Sequence, residues 1–140
     1  MTTNGKRYYY ISVKQKILVV DDDLYIRELY QEVLQNAGYD ADTAVDGQDA
    51  IDKLKQTPYD LILLDLIMPN IDGVGVLNEI IQNPPPVKSG PIILLSNLGS
   101  ELRDNKAMRD RIKDFIVKAD ITPDQLIACV RKHLETQKIA

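Results

Sequence analysis

Two rhythms of hydrophobic and polar positions alternate along this chain. Short apolar runs at Lys16–Val20, Leu61–Leu64, Pro91–Leu95 and Phe115–Val117 have the length and β-branched content of buried strands. Between them, apolar residues recur at three- and four-residue steps, the signature of amphipathic helices. Ile26, Leu29, Tyr30, Val33, Leu34 and Ala37 give the first helix its stripe. Asp23 is placed to cap its start and Gly38 to end it in the left-handed conformation. Tyr39–Ala44 reads as a short, weak strand. Asp46-Gly47 marks a turn into a second helix with Ala50, Ile51 and Leu54 inward, and Pro58 closes that unit.

The second half repeats the alternation. Pro69 and Asp72-Gly73 signal a loop after the Leu61–Leu64 strand. Val76, Leu77, Ile80 and Ile81 form a third stripe, which Asn83-Pro84-Pro85-Pro86 stops abruptly. Leu98–Arg111 is highly charged, with Leu102, Ala107 and Met108 as its apolar anchors, and predicts a solvated fourth helix. Thr122-Pro123-Asp124-Gln125 is a capping box with proline at the first helical position, followed by Leu126, Ile127, Val130 and Leu134. Strands that alternate with helices in this way imply an α/β domain, its parallel sheet covered on both faces by five helices. One domain is expected over residues 16–138, preceded by a polar, tyrosine-rich extension, residues 1–15, whose tyrosines could also add an edge strand.

Composition narrows the function classes. A formal net charge of −4 predicts no general affinity for nucleic acid or anionic membrane. A single cysteine, Cys129, allows no internal disulfide and fits a reducing cytoplasm. No apolar run approaches the ~20 residues that span a bilayer. His133, the lone histidine, reads as a solvated surface residue without a partner, and Cys129 as a small packing residue.

The chemistry is carried by the ends of the strands. The first runs into Asp21-Asp22-Asp23, the third into Asp65, the fourth into Ser96 and the fifth into Lys118. In a parallel sheet these ends share one edge, and ligands bind there, where the strand order reverses. Adjacent carboxylates call for a cation, and oxygen ligands of this kind suit Mg²⁺. Lysine and hydroxyl groups bind phosphoryl oxygens, and an aspartate can itself be phosphorylated. Asp65, single and central, is the best acceptor, and Asp23 is better read as a helix cap than as a ligand.

The ordered set Val-Val-Asp21-Asp22-Asp23, Leu-Leu-Asp65-Leu-Ile-Met68-Pro69-Asn-Ile-Asp72-Gly73, Leu-Leu-Ser96-Asn97 and Phe115-Ile-Val-Lys118 resembles the receiver domain of two-component response regulators, here of a stand-alone, single-domain type. The resemblance implies a flavodoxin-like, doubly wound sheet in the order 2-1-3-4-5. It implies that Asp65 accepts phosphate from a sensor histidine kinase or a phosphotransfer protein, and that Ser96 and Lys118 contact the phosphoryl group. Mg²⁺, or Mn²⁺, would be held by Asp22 and Asp65 directly, by Asp21 through water and by the Ile67 backbone carbonyl. Ser96 and Phe115 would be switch residues. Signalling would pass to a downstream protein through the face of the fourth helix, fifth strand and fifth helix, and the resemblance allows a phosphorylation-dependent homodimer. Such a domain is not an enzyme beyond its own phosphorylation and dephosphorylation, contacts no nucleic acid or membrane directly, and is cytoplasmic.

Three positions depart from the family. Asn97 replaces the usual Ala or Gly, and its bulk is expected to slow phosphorylation by small donors. Ala119 replaces the proline after the lysine, which leaves the path of Lys118 open, and Met108–Lys113 lacks the usual small pair. Two other functions stand beside this one. Asp21-x-Asp23 superficially resembles the start of a Mg²⁺-dependent, aspartyl-nucleophile phosphohydrolase, although Tyr25 stands where that motif has Thr or Val. A phosphorylation-independent interaction module is the other, and the intact Asp22, Asp65, Ser96 and Lys118 argue against it.

Overall fold

Strand β1, Lys16–Val20, shows how the layers arise. Its residues alternate between two cores: Ile17 and Val19 lie on one side of the sheet, Leu18 and Val20 on the other, and all four are fully buried. A strand that is apolar on both faces needs helices on both. The computed structural model describes residues 2–3, 6–7, 14–96 and 106–138. After β1 come α1 (Leu24–Asn36), β2 (Asp40–Ala44), α2 (Gly47–Gln56), β3 (Leu61–Asp65), α3 (Gly73–Gln82), β4 (Ile92–Ser96), α4 (Lys106–Arg111), β5 (Ile112–Val117) and α5 (Pro123–Lys138).

All four pairings within the five-stranded sheet are parallel, and the order is β2-β1-β3-β4-β5. This is the flavodoxin-like order 2-1-3-4-5. One core packs α2, α3 and α4 on the sheet through Leu54, Val76, Leu77, Ile80 and Met108. The other packs α1 and α5 through Tyr30, Leu34, Leu126, Val130 and Leu134. Each fully buried Leu or Ile contributes about 1.5–3 kcal/mol, so the sheet is held mainly by these two layers.

Local signals in the sequence act as expected. Asp23 caps α1, its Oδ1 accepting the Tyr25 and Ile26 backbone N–H groups at 2.9 and 3.2 Å. Gly38 follows α1 with φ at 97°. The capping box of α5 closes both ways: Gln125 N–H donates to Thr122 Oγ1, and Thr122 N–H to Gln125 Oε1. β5 begins at Ile112, earlier than the apolar run, because a register shift beside Ile92 and Ile93 lets Ile112 and Asp114 both pair with β4. Of the charged stretch read as a helix, α4 covers Lys106–Arg111; Leu98 and Leu102 lie outside the described residues. In the N-terminal extension, Thr2–Thr3 pairs antiparallel with Lys6–Arg7 as a two-stranded ribbon apart from the parallel sheet, and the tyrosines Tyr8–Tyr10 are outside the described residues.

Candidate functional site

The carboxyl ends of β1, β3, β4 and β5 meet at the middle of the sheet, where β1 gives way to β3 and the chain reverses its winding. Asp21 is fully buried just past β1, Asp65 is 4% exposed at the end of β3, and Ser96 is 2% exposed at the end of β4. Lys118 follows β5, and its backbone N–H donates to the Ser96 carbonyl at 3.2 Å. That bond continues the β4–β5 ladder by one residue and turns the lysine inward. Lys118 Nζ donates to Asp21 Oδ2 at 2.8 Å and to Asp65 Oδ2 at 3.4 Å. Ala119 follows in a trans linkage, so the proline usual in the family is not needed to deliver the lysine to the site. Asn97 lies outside the described residues.

The three aspartates divide according to what already holds them. Asp21 has both oxygens engaged, Oδ2 by Lys118 and Oδ1 by the Asp23 N–H at 2.9 Å. Asp23 is committed to the start of α1, which removes the second carboxylate that the phosphohydrolase motif requires. Asp22 is exposed. One oxygen each of Asp21, Asp22 and Asp65 fall within 4.8 Å of one another. An all-carboxylate set open to water on one side fits a hard divalent ion that keeps part of its hydration shell. Asp65 Oδ1 accepts the Ile67 N–H at 3.3 Å, which places Ile67 beside the acceptor. Phe115 is 39% exposed on the edge strand β5.

Burial sets the electrostatics. It pushes the Asp65 carboxyl up to about 6, with the nearby Asp21 charge adding to the rise and Lys118 opposing it. Burial alone would lower the Lys118 ammonium, but its bonds to Asp21 and Asp65 hold it above the ordinary lysine value.

Two contributors went unrecognised in the sequence. Tyr30, counted there as part of an apolar stripe, is buried, and its phenol is raised by that burial; it also feels Lys118, Asp21 and Asp65. Its position seven residues after Asp23, two helical turns, was the available signal. Arg27 Nη1 donates to the Asp21 carbonyl at 2.8 Å and ties the strand end to α1; nothing in the local sequence marks it.

A model of the response regulator receiver domain matches residues 17–131. The chain belongs to the response regulator receiver family. Receiver domains are the phosphorylatable switches of two-component signalling, and they interact with histidine kinases and downstream effectors. The chain is 30% identical over 119 residues to the chemotaxis protein CheY of Thermotoga maritima, covering 84% of this chain and 96% of that one. It is 39% identical over 116 residues to the transcriptional regulatory protein ResD of Bacillus subtilis, covering 83% of this chain and 46% of ResD. The chain thus spans about half the length of some curated relatives and nearly all of others. Among solved receiver structures, TrrA of Thermotoga maritima, in complex with Mg²⁺–BeF, is 38% identical with a TM-score of 0.71 over 86% of this chain and 99% of that one. CheY4 of Vibrio cholerae is 28% identical with a TM-score of 0.74 over 87% of this chain and 100% of that one.

One expectation outside the site is corrected. His133 is not a solvated, unpartnered residue: its side chain is 14% exposed, and Nε2 lies 2.8 Å from Asp114 Oδ2. Cys129 packs, partly buried, against the core beneath α1 and α5 as expected, and its Sγ also lies 3.6 Å from the same oxygen.

Proposed function

We propose that Asp65 is the phosphoacceptor and that this receiver works as a switch within a two-component phosphorelay. An Asp65 carboxylate oxygen attacks the phosphorus of a phosphohistidine on a histidine kinase or phosphotransfer protein. The P–N bond breaks, a P–O bond forms, and the imidazole leaves and takes up a proton. Lys118, already bonded to Asp65, binds a phosphoryl oxygen as the acyl phosphate forms, and the Ser96 hydroxyl binds another. Asp22 and Asp65, with Asp21 at one remove and the Ile67 carbonyl, would hold Mg²⁺ or Mn²⁺. When bound, such an ion would supply positive charge against the carboxylates and the phosphoryl oxygens. The protein acts on no separate substrate and catalyses only its own phosphorylation and dephosphorylation. Its signal leaves through α4, β5 and α5, where Phe115 and Val117 are exposed. We assign it to the cytoplasm; among the described residues, no helix is long and apolar enough to cross a membrane.

The convergence of Asp21, Asp65 and Lys118 from three separate strands carries this reading, and the Mg²⁺–BeF complex of TrrA supports it. Treatment with acetyl phosphate or phosphoramidate in the presence of Mg²⁺ should add one phosphoryl group to the intact mass. Asp65→Asn should add none, and continued labelling of that variant would overturn the assignment.

A further inference from the structure

A second group of metal-ligating side chains lies on the seam between β5 and α5. Cys129 and His133 are four residues apart, so they share one face of α5. Asp114 stands opposite on β5. Its Oδ2 lies 2.8 Å from His133 Nε2 and 3.6 Å from Cys129 Sγ, and the three ligating atoms are all within 4.8 Å of one another. The other oxygen, Oδ1, accepts the Phe115 N–H at 2.8 Å, which fixes the carboxylate plane. No step of phosphoryl acceptance uses any of the three.

We propose that Asp114, Cys129 and His133 form a transition-metal site that prefers Zn²⁺, separate from the acidic cluster at Asp65. The donor set decides the metal. A thiolate and an imidazole disfavour Mg²⁺ and Ca²⁺, and sulfur, nitrogen and oxygen together suit tetrahedral zinc. Zinc–ligand bonds of about 2.0–2.3 Å in a tetrahedron hold neighbouring ligand atoms roughly 3.3–3.6 Å apart. The sulfur–oxygen pair already has that spacing. The nitrogen–oxygen pair must open by about half an ångström, within the reach of small side-chain rotations. Helix α5 fixes two ligands and a paired strand fixes the third, so the site is preset by the fold. The Asp114 side chain is 34% exposed, which admits water as the fourth ligand. On coordination the thiol releases its proton to solvent and binds as thiolate. Metal bound here would clamp α5 to the edge strand beside Phe115.

The test uses the full chain, reduced, with excess Mg²⁺ present to occupy the acidic cluster. Zn²⁺ is titrated against a chromophoric chelator, and Co²⁺ serves as the spectroscopic probe. One equivalent should bind, and cobalt should give a thiolate-to-metal charge-transfer band. Affinity should fall about tenfold or more in Cys129→Ser and in His133→Gln, and also in Asp114→Asn, which keeps an acceptor for both neighbours. Asp65→Asn should bind zinc as the parent does. Absence of the charge-transfer band in the parent chain would overturn the site, whether or not the variants fold. So would zinc binding that survives Cys129→Ser but is lost in Asp65→Asn, which would place the ion in the acidic cluster. Phosphoryl uptake is unaffected by either result, so failure here leaves the acceptor assignment standing.

Discussion

At the scale of single residues, Asp65 is held in a state that costs stability. Its carboxyl is raised from 3.8 to about 6, chiefly by burial and then by Asp21. The folded protein therefore binds this proton more tightly than the unfolded chain does. That contribution is complete below the unfolded value and is lost as pH rises through about 6. Without metal, Asp65→Asn should be more stable than the parent at neutral pH by roughly 1–3 kcal/mol, and the gap should narrow towards about pH 4. Urea unfolding in a chelating buffer across this range measures it, and a gap independent of pH would refute the cause given. Mg²⁺ should then stabilise the parent and not the variant, because only a folded, intact site binds it. A second expectation concerns Ile67, two residues after the acceptor and 56% exposed. Its side chain offers no polar atom to orient a hydrolytic water. The acyl phosphate should therefore persist for minutes or longer, and Ile67→Asn should shorten its life. Radiolabel or mass-spectrometric decay curves test both, and decay of the parent within seconds would contradict the first.

At the scale of elements, the loop between β3 and α3 is shaped by a close approach. A Cβ on Gly73 would lie 2.5 Å from the Asp65 carbonyl oxygen and 2.7 Å from Leu66 Cα. The Gly73 N–H donates to the Leu66 carbonyl at 2.8 Å, so the chain folds back on the strand that carries the acceptor. Gly73→Ala should cost about 1–3 kcal/mol, because backbone, unlike a flexible side chain, cannot move aside cheaply. Thermal unfolding should show the loss, and the displaced acceptor should take up phosphoryl more slowly. The sequence announced this loop through Pro69 and Asp72-Gly73, just as Thr122 and Gln125 announced the start of α5, because caps and turns depend on neighbours in the chain. Asp65, Ser96 and Lys118 were legible for a related reason: each ends an apolar run, and parallel topology carries all such ends to one edge. The bond of Arg27 to the Asp21 carbonyl and the meeting of Asp114 with His133 were not legible. Both depend on how a helix seats against a strand. A lone histidine on a helix looks solvated until the element it faces is known.

At the scale of the whole molecule, the rim around the acceptor is unusually apolar for a site built from charge. Leu24 and Tyr25 open α1 directly after the aspartate triplet and are 59% and 74% exposed; Val45 follows β2 at 47% and Ile67 follows β3 at 56%. All four sit at the carboxyl edge of the sheet, where topology collects the loops that lead out of β1, β2 and β3. Exposed apolar groups gathered at one site mark a contact surface more often than isolated ones do. A protein donor must bring its phosphohistidine to Asp65 across this rim, whereas acetyl phosphate needs only the pocket. Leu24→Asp with Tyr25→Ala should therefore slow phosphotransfer from the partner kinase by about tenfold or more, as expected when central interface anchors are removed. The same pair should leave acetyl phosphate uptake within about twofold of the parent, because neither side chain supports the fold at that exposure. Parallel loss with both donors would mean that the substitutions had disturbed Asp23 and the start of α1. Unchanged transfer from the kinase would mean that the donor approaches by another face.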